Sequence, residues 1–426
     1  MAQLTDDGRA GPGRPHPLAE PLARPLALSL DEAVACVAAL PVRAGIESVS
    51  LGEADGRVAA RDLAARSDVP RFDNSAVDGY AVRAADLAPT GETRLPVRGR
   101  VAAGQTGAAV SGGGVRIFTG APMPEGTDTV LMQEDAHRIG SDVVLPAGLA
   151  PGTNRRRRGE DVRAGQRIVA AGRRLTPGDI ALAVAAGHAR LDVRRRLVVG
   201  IFSTGDELAE PGADLDAGAI HDSNRPMLAA LLRRLGAEVR DLGILRDTSG
   251  DLGPRLAAAA GAHDLLLTTG GVSVGEEDHV RPAVEATGRL VFWRLAIKPG
   301  RPVAMGIVAG TPFVGLPGNP VAAYVTLLFV VRPLLARLGG WDAAPPLAVP
   351  ARAAFDQAKK AGRREFLRVG LRRADDGALE AFRPTGAEAG GLFSLSASDG
   401  LAVLPEDLTR LRAGDRIDVY PHASLT

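Results

Sequence analysis

Between Leu197 and Leu338, short apolar runs alternate with stretches of helical period, and this alternation constrains the fold more than any other feature of the chain. Leu197–Phe202 reads as a strand, and Asp222 or Ser223 is placed to cap a helix from Pro226 to Leu235. A strand at Glu238–Leu242, a helix near Leu252–Ala260 and a strand at Leu265–Thr268 are expected next. A helix at Val280–Ala286, strands at Leu290–Leu295, Val303–Val308 and Pro312–Leu316, and a long helix at Val321–Leu338 complete the series. Strands that alternate with helices predict a mostly parallel, doubly wound sheet. Ligands of such sheets bind beyond the carboxyl ends of the strands.

Those ends carry the chemistry. The first strand runs into Ser203-Thr204-Gly205-Asp206-Glu207, and the second leads to Arg246 and Asp247. The third empties into Gly270-Gly271-Val272-Ser273-Val274-Gly275, then Glu276, Glu277, Asp278 and His279. The fourth reaches Lys298 and Arg301, and a later strand ends in Leu316-Pro317-Gly318-Asn319-Pro320. Each has a plain alternative: Asp206 also fits a helix cap, Asp247 a turn, and Pro317–Pro320 a helix-initiating turn. Their joint placement at strand exits favours a site. Glycines let the backbone present N–H groups, carboxylates suit a hard cation, and Lys298 with Arg301 suits anionic oxygens. Together they describe a phosphorylated ligand with a divalent metal. Carboxylates with few histidines and no cysteine nearby favour Mg²⁺ over zinc or copper. His279 alone makes no metal site and reads as a helix start, while His221 reads as a structural or loop contact.

A chain of 426 residues predicts three or four domains. Its 51 basic and 50 acidic residues leave a net charge of +1, so no electrostatic case exists for nucleic acid or an anionic membrane. No apolar run approaches the ~18 residues of a membrane span. The first 25 residues lack an apolar signal core and read as a disordered tail. The single cysteine, Cys36, excludes an intrachain disulfide and fits a cytoplasmic location. Lysine occurs only at Lys298, Lys359 and Lys360 in an otherwise arginine-based chain, which draws notice to Lys298.

The expected organisation is a tail (1–25), and an elongated helical linking domain (26–64 with 166–195) that contributes in part to the α/β domain. A β-rich insert (65–165), the doubly wound domain (196–345) and a C-terminal β-barrel-like domain (346–426) complete it. Thr176-Pro177-Gly178-Asp179 opens a helix, and Asp376-Gly377 joins two strands as a hairpin. Two motifs lie outside the α/β region. Pro70–Ala81 is dense in turn formers and carries Asp73 and Asp78; Asn154–Asp161 sets four arginines against two acids.

The motifs FDNSAVDGYAVR (72–83), TGAPMPEGTD (119–128), RRRGED (156–161), STGDEL (203–208), TTGGVSVGEED (268–278), AIKPGRP (296–302) and GLPGNP (315–320) resemble, in order, the molybdopterin molybdenumtransferases. These are the MoeA-type proteins, related to the E domain of gephyrin. The resemblance spans roughly residues 26–426. It implies a four-domain elongated homodimer that inserts molybdate into adenylylated molybdopterin, releasing AMP and using Mg²⁺. Matching position by position, it assigns catalytic roles to Asp78, Glu207, Asp247, Asp278 and Lys298, with Glu207, Asp247 and Asp278 as metal ligands. It assigns substrate binding to Thr119, Arg156, Asp161, Gly270, Gly271, Ser273, Gly275, Arg301, Pro317, Gly318, Asn319, Pro320, Arg363 and Ser394. A small-molecule pterin is the implied substrate, and a molybdopterin adenylyltransferase the candidate protein partner. Departures are mild: Val77 stands where Met is common, and Arg294 and Arg301 where Lys is frequent. The alternatives are a molybdopterin adenylyltransferase, which shares the doubly wound domain, and a gephyrin-like scaffold.

Overall fold

The computed structural model describes residues 27–246, 252–272, 279–342, 344–384 and 391–425, except for the side chain of Trp293. The chain forms two compact units, Ser48–Val193 and the remainder.

The remainder contains the doubly wound domain. Its strands are β1 (Val198–Thr204), β2 (Glu238–Leu245), β3 (Leu265–Thr269), β4 (Gly288–Arg294), β5 (Pro302–Val308) and β6 (Thr311–Leu316). They lie in the order β2-β1-β3-β6-β5-β4. The first four are parallel, whereas β5 is antiparallel to both β6 and β4. The sheet is therefore mixed, because Ala309 and Gly310 turn β5 directly into β6 with no crossover helix. β4 still runs in the direction of β6, so Lys298 and Arg301 emerge at the same edge as the carboxyl ends of β1, β3 and β6. The chain leaves β1 for β2 on one side and returns to β3 on the other. That reversal makes the crevice between the ends of β1 and β3 the binding position of this topology.

The helical stretch that ends this domain, Pro320–Gly339, has the length and apolarity of a membrane span, which corrects the expectation that no apolar run approaches one. Within its most apolar window, 78% is buried inside the chain, so here it is a core helix. It is α-helical over Pro320–Thr326, π-helical over Leu327–Val331 and α-helical again over Arg332–Gly339. Pro333 explains the interruption: it has no N–H to donate, and its ring crowds the preceding turn, which widens to accommodate it.

Beyond this helix, five strands close a barrel: Arg364–Arg373, Leu379–Phe382, Val349–Ala353, Arg416–Pro421 and Gly400–Leu404, the last pairing again with the first. The Asp376-Gly377 turn joins the first two antiparallel strands, with Gly377 at φ +83°. Lys359 is 9% exposed, and its Nζ donates to the carbonyls of Pro405 (2.5 Å), Glu406 (3.3 Å) and Leu408 (2.8 Å). An ammonium with three diverging donors fits three carbonyls in a way that a planar guanidinium does not.

The C-terminal helix His422–Leu425 is tied to the core helix through a buried relay. Ser398 Oγ donates to Leu395 O (2.8 Å), so it accepts from His422 Nε2 (2.9 Å). That leaves His422 Nδ1 to accept from Tyr324 Oη (2.7 Å), which requires a neutral imidazole. Burial pushes His422 below its usual range, with Asp399 opposing, and pushes Tyr324 up to about 12. A histidine with a depressed folded pKa contributes stability that is complete above its unfolded pKa of about 6.5 and is lost as pH falls toward the folded value. We therefore expect thermal melts from pH 7.5 to 5 to show a steeper loss for the native chain than for His422→Gln. Parallel curves would exclude the relay as the cause.

The Ser48–Val193 unit contains a six-stranded sheet in the order Thr129–Met132, Gly79–Val82, Gly114–Ile117, Glu92–Val101, Asp142–Pro146, His137–Ile139. Its helix, Pro177–Ala185, opens as the sequence predicts: Thr176 and Asp179 form a reciprocal capping box, with Pro177 at the first helical position.

Candidate functional site

In the α/β domain, a cleft of about 100 Å³ opens at the reversal of strand order. It is bounded by Thr204 at the end of β1, Thr269 and Gly270 at the end of β3, Gly318 beyond β6, and Glu207 and Asn224. Gly270 and Gly271 are needed for close approach. Both have positive φ (+88° and +62°), and a Cβ on them would lie 2.3 Å from Thr204 O and 2.5 Å from Thr204 Oγ1 respectively. The expectation that the Gly270 amide is offered to an anion is corrected, because it donates to Leu316 O (3.1 Å).

Asn224 organises this edge and was missed in the sequence. Its Nδ2 donates to Thr269 Oγ1 (2.7 Å) and Gly318 O (2.8 Å), and Thr269 Oγ1 donates on to Pro317 O (3.1 Å). One amide thus fastens the ends of β3 and β6 together. Among the described residues, the buried atoms Asn224 Oδ1 and Thr204 Oγ1 have no hydrogen-bond partner. Asn319 caps the core helix by accepting from Ala322 N (3.0 Å), and Pro320 starts it, so this turn is both helix start and cleft wall.

Arg225 was also missed. It is 3% exposed and binds three carboxylates: Asp222 (Nε, 3.0 Å), Asp241 (2.6 Å) and Glu210. Asp222 in turn accepts from Ser203 Oγ (2.6 Å) and Arg225 N (3.1 Å). The cap expected from Asp222 or Ser223 is therefore made by Asp222, on a helix spanning Asn224–Arg234. The clamp ties the segment after Glu207 to β1 and β2. Polar residues before a helix read as caps, and nothing in their spacing discloses a buried arginine shared by three acids.

Glu207 is exposed, as are Lys298 and Arg301. Asp247, Ser273, Gly275 and Asp278, with Glu276 and Glu277, lie outside the described residues. Among the described residues, no three His, Cys, Asp or Glu side chains converge as a cation site, and Glu207 is the one expected ligand among them. The described donors alone therefore do not make a Mg²⁺ site.

Lys298 Nζ lies 3.3 Å from Oε2 of Glu365, which is only 2% exposed. The cation that the sequence marks out for anionic oxygens is thus also the partner of a buried acid. Removing the ammonium strands a buried carboxylate, for which we expect a loss of about 1 kcal/mol, discounted because Lys298 itself is exposed. Lys298→Ala with Glu365→Gln should recover that stability in urea melts without recovering activity. Recovery of both would make the pair purely structural. Arg363 is half-exposed; Ser394 is buried, with its hydroxyl donating to Gly391 O (2.8 Å) at the start of helix Leu392–Ser396.

In the other unit, Asp78 Oδ1 accepts from both the amide and the hydroxyl of Thr119 (2.8 Å each). These bonds, with Arg116 nearby, hold the carboxyl below its ordinary range. The two motifs outside the α/β region pair with each other: Arg155 and Arg156 form an antiparallel bridge to Ser75 and Asn74. Arg155 and Arg158 pair with Asp73 (3.7 Å) and Asp68 (2.5 Å), whereas the exposed Arg156 makes no ion pair among the described residues. Asp161 is exposed, with its amide bonded to Val69 O (3.1 Å).

A doubly wound domain with its cleft at the strand-order reversal, followed by a closed β-barrel, defines a multidomain α/β protein that binds a small ligand at its strand ends. Three family models match in order: the MoeA N-terminal region (domain I and II) over residues 28–187, the "Probable molybdopterin binding domain" over 200–337, and the MoeA C-terminal region (domain IV) over 350–422. The chain is 39% identical to the molybdopterin molybdenumtransferase of Haemophilus influenzae, covering 92% of this chain and 98% of that one. It is 36% identical to molybdopterin molybdenumtransferase 2 of Mycobacterium tuberculosis, covering 88% and 94%. The crystal structure of the molybdopterin biosynthesis moeA protein from Pyrococcus horikoshii OT3 superposes with a TM-score of 0.79 at 30% identity, covering 93% and 100%. The chain belongs to the MoeA family of molybdopterin molybdenumtransferases, enzymes of molybdenum cofactor biosynthesis.

Proposed function

We propose that the chain inserts molybdate into adenylylated molybdopterin, releasing AMP and forming molybdenum cofactor in a Mg²⁺-dependent reaction. The carrying observation is the cleft at the reversal of strand order, walled by Thr204, Thr269, Gly270 and Gly318 and flanked by Glu207. Three strand ends converge there, which suits a small pterin with an anionic tail. Lys298 and Arg301 emerge at the same sheet edge, where they favour anionic oxygens as charge moves toward the leaving AMP. The thiolates that hold molybdenum come from the pterin in this reading, consistent with a chain that has one cysteine.

The test is to incubate purified protein with adenylylated molybdopterin and quantify AMP, with and without molybdate and across a Mg²⁺ titration. AMP release that requires both is the expected result. No release would sink the reading, and formation of adenylylated molybdopterin from ATP would favour an adenylyltransferase instead.

The reading extends to a cytoplasmic homodimer that receives its substrate from the adenylyltransferase. Asp78, Thr119, Arg156 and Asp161 belong to one unit, whereas Glu207 and Lys298 belong to the other. If the site is shared between protomers, mixing Arg156→Ala with Asp278→Asn should restore activity in hybrid dimers. Isolated heterodimers that remain inactive would exclude sharing.

A further inference from the structure

A second cavity, of about 170 Å³, lies within the Ser48–Val193 unit, in the part built by residues 59–66 and 169–192. Leu63, Val169, Leu175 and Leu191 form its apolar floor, and all four pack in one hydrophobic cluster of that unit. The rim is charged, and its charges are unequally matched. Asp62 accepts from Ala171 N (2.8 Å) and Arg167 (3.1 Å), which hold its carboxyl below the ordinary range. Asp192 lies 3.7 Å from Arg61. Both rim acids are thus compensated.

Two rim cations, Arg66 and Arg190, form no ion pair among the described residues. Among the described residues, Arg190 donates to the neutral acceptors Ser48 O (2.7 Å) and Ser48 Oγ (3.3 Å). Glu53 accepts its hydrogen bonds from Ser50 and feels Arg190 only through space, so the Arg190 guanidinium keeps N–H donors for a ligand. The Arg66 side chain makes no hydrogen bond or ion pair among the described residues, although it lines the cavity. His188, 9% exposed, is pinned through Nε2 to Ala64 O (2.9 Å) and gives one wall a fixed shape. A cavity of roughly 150 Å³ suffices for a benzene-sized body. Guanidiniums present paired N–H donors that match a carboxylate.

We propose that this cavity binds a small aliphatic carboxylate, its head on Arg66 and Arg190 and its chain on the apolar floor. No residue of the strand-end cleft takes part, so the proposal stands independently of the proposed reaction.

The experiment is calorimetry and thermal shift on the full-length protein with butyrate, butyramide and inorganic phosphate, at matched ionic strength. Butyrate should bind saturably and raise the melting temperature, with butyramide and phosphate each at least tenfold weaker. Arg66→Gln, a surface change that leaves the unliganded melt unaltered, should weaken butyrate at least tenfold. Equal binding of butyramide would overturn the role of the arginines, and phosphate binding as tightly as butyrate would overturn the role of the floor. Unchanged butyrate affinity in Arg66→Gln would mark an adventitious additive only. A change of sedimentation mass in Arg66→Gln, with butyrate opposing self-association, would assign the rim to contact between copies and overturn the proposal.

Discussion

Alanine at position 270 is expected to cost about 2–4 kcal/mol of stability and to abolish turnover. Two effects add: a left-handed backbone that disfavours a Cβ, and a Cβ placed 2.3 Å from Thr204 O, which belongs to β1 and cannot rotate away. Gly377→Ala is the control, because its φ is +83° but a Cβ there meets nothing within 4 Å. It should lose about 1 kcal/mol and keep full activity. Urea melts and AMP release on both variants separate the terms. Similar losses for the two would mean that backbone conformation alone accounts for the glycine and that β1 and β3 have slack between them.

The second large effect is expected at Arg225. Replacing it by methionine keeps much of the side-chain volume but leaves Asp222, 2% exposed, without its cation. Breaking a buried pair from one side costs about 3–5 kcal/mol. Glu210→Gln removes only an exposed partner, whose carboxylate is 56% accessible, and should cost under about 1 kcal/mol. Adding Asp222→Asn to Arg225→Met should return part of the loss, since an amide is cheaper to bury than a charge. A loss below 1 kcal/mol in Arg225→Met, measured by urea denaturation, would show that the network is solvated in solution.

How much of this was legible in the sequence depends on whether the information was local. Helix Pro177–Ala185 and the Asp376-Gly377 hairpin were readable because caps and turns are written within four residues. The strands of the doubly wound domain were readable from runs such as Leu265–Thr269, in which every residue is buried. The antiparallel course of β5 was not, because an apolar run carries no direction. Asn224 and Arg225 escaped for a related reason. Their partners lie in other elements, Thr269 and Gly318 for one and Asp241 for the other, and only folding joins them. Lys298 was singled out by its rarity, yet its buried partner Glu365 is 67 positions away.

That partner has a wider consequence. Ile297 and Lys298 form a parallel ladder with Arg364 and Glu365, so the loop that displays the cation is registered at its tip by the barrel, while the sheet closes only its base through Leu295 N and Arg301 O (2.9 Å). The α/β domain is thus finished from outside, with its last strand exit held as an extra stave of the next domain. A chain cut after the core helix would retain the residues of the cleft between β1 and β3, but the Lys298 loop would lose the template at its tip and keep only the tie at its base. In that sense the barrel is a jig, and its rim sets where one of the cations at the edge of the sheet is held.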